Sequence, residues 1–240
     1  MRLSFTFFDC AESALLVDFG PNYSKALSLA ILDVSGRLAA AALPGVSESV
    51  PALSSLTVFY DPLLLPKERL LSEIAALCDA ERASPEAGRT WEIPVVYGGE
   101  GGPDLKDAAG RAGLTEAAAI ELHASQLYHV YMLGFLPGFA YLGDLPQALR
   151  LPRRSTPRAR VQAGSVAIAA DMTAIYPLES PGGWHLIGTT PIVLWDTSRR
   201  DEPLLKPGDA VRFRPASARE AEDLRKRAAD GWEPKPVEAS

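Results

Sequence analysis

The chain has 240 residues, 47% hydrophobic and 22% charged, enough apolar material for one large or two modest cores. Thirty acidic against 24 basic residues give a net charge of −6, which argues against nucleic acid or an anionic membrane as partner, since both need a strong excess of Lys and Arg. No apolar run approaches the ~20 residues of a membrane span, and MRLSFTFFDCAES is broken by Ser4, Thr6 and Asp9, so it reads as no export signal and the expected compartment is the cytoplasm.

Residues 1–88 read as a small α/β layer, βαβ-βα in outline. Ser13–Phe19 is rich in strand formers, Gly20-Pro21 breaks it, and Asn22 is placed to cap a helix running to about Ala41. Pro44-Gly45 marks a turn and Ser55–Tyr60 a second strand. A helix opens at Pro66, with Leu70, Leu71, Ile74 and Leu77 as its apolar stripe. The polar stretch Glu81–Arg89 reads as an interdomain linker. Cys10 and Cys78 are too few and too far apart for a disulfide framework or a zinc site, and both are expected as small buried side chains.

Residues 89–215 change character. Trp91–Tyr97 is a strand, Gly98–Gly102 a turn, and two short helices follow at about Asp104–Ala112 and Thr115–Ser125. This pair resembles a helix-turn-helix, but its second helix carries Glu116 and Glu121 and no Lys or Arg to meet phosphates, so it is expected to pack and not to bind DNA. Residues 134–191 then hold seven glycines and seven prolines, a turn density that fits short strands in a closed or nearly closed antiparallel barrel. Lys206–Asp209 leads into a closing strand at Ala210–Phe213. Residues 216–240 are expected as a charged helix to 229 and a disordered tail from Glu233.

Three groups of residues carry the candidate chemistry. Only His123, His129 and His185 are present, in no recognised metal spacing, so no metal site is expected. His123, at a helix end, is a candidate acid or base or a structural hydrogen-bonding group, and Glu179 is a second weak catalytic candidate. Arg153, Arg154, Arg158 and Arg160 form a dense basic cluster whose guanidinium forks suit carboxylates or phosphates, Arg154 and Arg158 above all; a solvated strand edge fits the spacing equally well. Ser180, Gly182, Gly183 and Trp184, within SPGGW, offer a hydroxyl and backbone N–H groups on a tight turn, although Ser180 and His185 lack the pattern of a nucleophile elbow. Phe135, Pro137, Gly138, Phe139 and Tyr141 form an aromatic surface on a glycine/proline frame, where a ligand or partner can approach the backbone.

These residues also carry a family resemblance. GFLPGFAYLGDLP, LPRRSTPRARVQAGSVAI and IYPLESPGGWHLIGTTP resemble the signature blocks of the KipI / allophanate hydrolase subunit 1 family, and IPVVYGGEGGPDL and SLTVFYDP extend the likeness from about Ser13 to Phe213. The resemblance implies an α+β protein: a small α/β N-terminal domain followed by a cyclophilin-like β-barrel. It implies a homologous larger subunit (KipA / allophanate hydrolase subunit 2 type) as partner and, in the 5-oxoprolinase system, a lamB/YcsF-type third subunit. Together these open 5-oxo-L-proline to L-glutamate with ATP, an ATP site this chain is not expected to supply alone because it has no Walker A or kinase glycine loop. Two alternatives stand beside it: a binding protein that inhibits a histidine kinase, and a carboxyltransferase-type subunit working with biotin. The chain departs from the family pattern AGSVGIGG-Q-TGIYP at Ala167, Ala169, Ala170, Met172 and Ala174.

Overall fold

A computed structural model describes residues 3–80, 88–199 and 203–237. The chain divides into two compact units, 1–87 and 88–240. Residues 81–87 of the expected linker lie outside the described residues, and Arg89 belongs to the second unit, where its carbonyl accepts from Ala210 N–H.

The first unit runs β1 (Thr6–Ala11), β2 (Ala14–Asp18), α1 (Lys25–Ala41), β3 (Val46–Pro51), β4 (Ser55–Tyr60) and α2 (Lys67–Asp79). The strands pair in the order β1-β2-β4-β3, every pair antiparallel, so the expected βαβ crossover is corrected to two hairpins with a helix after each. The sequence pattern does not reveal β1 and β3, for a physical reason. Both are sheet edges with no fully buried residue, β1 mostly exposed and β3 mostly half-buried, and neither shows the alternation a half-buried strand would. Central strands β2 and β4 do show it, and Leu15, Val17, Leu56 and Val58 meet Ile31, Val34, Leu38, Leu70 and Ile74 in one core. Ser24, not Asn22, caps α1, its hydroxyl accepting from Leu27 N–H at 3.2 Å. Cys78 is buried as expected, whereas Cys10, at a register shift in the edge strand β1, is exposed.

In the second unit β5 (Thr90–Tyr97) is followed by α3 (Leu105–Arg111) and α4 (Glu116–Ala124), then β6 (Leu127–Leu133), β7 (Ala140–Gly143), β8 (Arg158–Val161), β9 (Ser165–Ala169), β10 (Met172–Ile175), β11 (Ser180–Gly182), β12 (His185–Thr189), β13 (Ala210–Pro215) and α5 (Ala218–Ala229). Seven strands close a barrel in the order β10-β7-β6-β13-β5-β12-β9, and β8 and β11 form a separate two-stranded ribbon. The barrel is not wholly antiparallel, because β13 runs parallel to β5 over six residues. Helix α3 packs on β12 and α4 on β13. The expected disordered tail is instead docked over its described part: Val237 N–H donates to Thr90 O at 2.8 Å, and Arg199 holds Glu233 at 2.8 Å. No helix among the described residues is long and apolar enough to cross a membrane.

Candidate functional site

The turn between β6 and β7 is tight. Gly134 N–H donates to Phe139 O and Phe139 N–H to Leu136 O, which leaves Phe135 at φ +68° and Gly138 at +76°. Gly138 suits that backbone, and a Cβ there would lie 3.0 Å from Trp195 Cβ. Phe135 does not suit it. A left-handed phenylalanine is held at a cost of about 1–2 kcal/mol, and here its ring is 62% exposed. Pro137 is also exposed, while Phe139 is buried and forms the hub of the aromatic group. Its ring centroid lies 5.0 Å from Tyr141, 5.3 Å from Tyr176, 5.5 Å from Phe135 and 6.0 Å from Trp184.

The β8–β11 ribbon brings the SPGGW turn against this cluster, with Gly182 paired to Arg158 and Ser180 to Val161. A Cβ on Gly182 would collide with the Tyr176 hydroxyl, so glycine is required for the phenol to pack there. Phe135, Phe139, Tyr141, Tyr176, Trp184, Gly182 and Gly183 thereby enclose a pocket of about 210 Å3, with Arg153 at its rim. The Arg153 guanidinium lies 6.0 Å from the Trp184 ring centroid, and among the described residues no carboxylate pairs with it. Burial raises the pKa of Tyr141 and of Tyr176, and the Arg153 charge works against that rise at both. The pocket is thus lined mainly by aromatic side chains, with Arg153 the one cation among its lining residues.

The other arginines are placed differently from expectation. Asp104 is buried at the N-terminal end of α3; its Oδ1 accepts from Arg154 Nη1 at 3.0 Å and Arg158 Nη2 at 2.8 Å, and its Oδ2 from Leu186 N–H at 2.7 Å. Burial alone would push this carboxyl up, but the Arg158 hydrogen bond, the Leu186 N–H and the two guanidinium charges outweigh it and hold its pKa below the ordinary value. Arg154 and Arg158, expected as an anion-binding pair, are therefore both tied to Asp104 in a structural clamp, which leaves only their remaining N–H groups for any external anion. Asp104 is not among the sequence candidates; its only signal there is a lone acid in a glycine–proline turn, GGPD.

His123 is buried in the barrel core. Thr173 Oγ spends its proton on Ala167 O, so it accepts from His123 Nε2–H at 3.0 Å, and His123 Nδ1 accepts from Tyr97 O–H at 2.7 Å. Burial depresses its pKa to about 3. Neutral, satisfied on both nitrogens and stacked on Phe213 at 4.6 Å, it is a core hydrogen-bonding group, which corrects its catalytic candidacy. Glu179 pairs with Arg160 at 2.7 Å on the surface, outside the pocket. Ser180 is buried with its hydroxyl unpaired, and His185 Nε2 donates to Pro152 O, so no Ser180–His185 couple forms.

Comparison with known proteins gives a consistent set of relatives. Residues 5–206 match the model of the carboxyltransferase domain, subdomain C and D. The chain is 44% identical over 208 residues to the 5-oxoprolinase B subunit of Escherichia coli O157:H7, covering 85% of this chain and 93% of that one. It is 43% identical to the solved structure of TTHA0988 with a TM-score of 0.76, covering 85% of this chain and 40% of that chain. The urea amidolyase of Kluyveromyces lactis aligns at a TM-score of 0.82 over 99% of this chain and 16% of its own, and at 18% identity that likeness shows the fold alone.

Proposed function

The chain belongs to the family of the carboxyltransferase domain, subdomains C and D, and from that premise we propose that it is the B-type subunit of a 5-oxoprolinase complex, opening 5-oxo-L-proline to L-glutamate. The observation that carries this reading is the match of the pocket to the substrate's chemistry. A five-membered lactam bearing one carboxylate presents an apolar ring edge to Phe139, Tyr141 and Trp184 and its charge to Arg153.

A lactam carbon is a poor electrophile. Transfer of the γ-phosphoryl group of ATP to the lactam oxygen releases ADP and activates that carbon. A water then adds, the ring C–N bond breaks with the nitrogen taking a proton, and a second water releases phosphate and leaves glutamate. The role of this chain is to hold the substrate ring and carboxylate (the aromatic pocket and Arg153), with ATP bound in the complex that it forms with a homologous larger subunit and a third, lamB/YcsF-type subunit. Water exclusion by that partner over exposed Phe135 raises the value of the Arg153 contact.

A second reading is favoured by the carboxyltransferase match itself: carboxyl transfer with biotin, whose fused ring and carried carboxylate also suit aromatic walls beside one guanidinium. Co-expression with its partner subunits separates the two. Glutamate release from 5-oxoproline that requires ATP supports the first; biotin-dependent carboxyl transfer without it supports the second.

A further inference from the structure

A second cavity, of about 350 Å3, shares Arg153 with the aromatic pocket but none of its rings. It is lined by Arg111, Arg153, Arg154, Ser155, Thr156 and His185, with Pro152. Three arginines line this cavity and no carboxylate does; Arg111 Nε pairs with Asp107 and Arg154 Nη1 with Asp104, so Arg153 alone of the three has no carboxylate partner among the described residues. The wall is also incomplete. His185 is buried and its Nε2 donates to Pro152 O at 2.8 Å, leaving Nδ1 without a partner, and Arg154 Nε is likewise buried and unpaired. Buried nitrogens in native proteins nearly always meet a protein, water or ligand partner, and both of these belong to side chains that line this cavity.

We propose that this cavity binds a phosphoryl group. A carboxylate has two oxygens and is satisfied by a single guanidinium fork. Three arginines, Ser155, Thr156 and His185 line one space, and the N–H and O–H groups that Asp104 and Asp107 leave free suit the larger charge and the additional oxygens of a tetrahedral phosphate. Helix α3 supplies Arg111 from its last turn, and Asp104 at its other end fixes Arg154, so the same helix positions two of the three cations. The assignment does not depend on which reaction the assembled complex performs.

The test titrates the full chain, at fixed ionic strength, with inorganic phosphate, ADP and acetate by calorimetry and 31P NMR. Arg111→Gln and His185→Gln are compared with wild type, and Arg160→Gln serves as a nearby control for general surface charge. Gln at 185 keeps a donor for Pro152 O, and Arg111 is exposed on a helix end, so at least one variant keeps the fold. Arg153 is left intact because the aromatic pocket also uses it. Saturable phosphate or ADP binding, tighter than acetate and weakened about tenfold or more in Arg111→Gln and His185→Gln, is expected. ADP binding more tightly than phosphate assigns the group to a nucleotide; the reverse order assigns it to free phosphate. Absence of saturation, acetate binding as tightly as phosphate, or an equal loss in Arg160→Gln overturns the proposal.

Discussion

Arg158 donates from Nη2 to Asp104 Oδ1 at 2.8 Å, and that bond ties the β8–β11 ribbon to the start of α3. The same carboxylate holds Arg154 and the Leu186 N–H near the start of β12, so three segments converge on one buried acid. Asp104→Ala would leave two half-buried guanidiniums uncompensated. A loss of about 2–4 kcal/mol is expected, less than for a fully buried pair because both arginines keep some solvent contact. Chemical denaturation measures it, and a loss below about 1 kcal/mol would release the arginines from this role. The carboxyl's folded pKa is lowered, so its contribution is present above the unfolded value and lost as pH falls through the folded one.

His123 gives a second pH signature, of a different origin. Its folded pKa is near 3 against about 6.5 unfolded, so below pH 6.5 the unfolded chain binds the proton that the folded core refuses. Stability should therefore fall from pH 6.5 towards pH 3, by up to about 1.4 kcal/mol per pH unit, with no contribution from this group above pH 7. His123→Gln, lacking a titrating ring, should flatten that slope. An unchanged slope in the variant would place the titration elsewhere.

Ala170 sits at φ +51°, at one of the positions where the family pattern reads glycine. Ala170→Gly should raise stability by about 0.5–1 kcal/mol, the relief of a left-handed alanine outweighing the added freedom of the unfolded chain. A lower denaturation midpoint would contradict it.

How far the sequence reaches is seen at particular residues. Leu15, Val17, Leu56 and Val58 announce their strands because buried and part-exposed positions alternate along β2 and β4, whereas β1 and β3 bury too little to leave a pattern. Phe139, Tyr141, Gly182 and Trp184 stand out in the sequence by their aromatic and glycine spacing, and the fold brings them to one pocket. The arginines are legible only as a cluster. Which of them is spent inside the protein depends on Asp104, 49 residues before Arg153 in sequence, and on a clamp that only the closed barrel creates. His123 is ambiguous for the same reason, since its two partners, Tyr97 and Thr173, come from distant strands.

The measurement that bears most directly on the central claim is the steady-state kinetics of glutamate formation from 5-oxoproline by the assembled complex, wild type against Arg153→Gln. Arg153 is exposed at the pocket rim and pairs with no carboxylate among the described residues, so its loss should leave folding and subunit assembly intact. Losing one charged hydrogen bond to the substrate carboxylate should lower kcat/KM by about 10- to 150-fold, expressed mainly as a higher KM. An assembled Arg153→Gln complex with unchanged kcat/KM for 5-oxoproline would contradict the assignment of this pocket to the substrate.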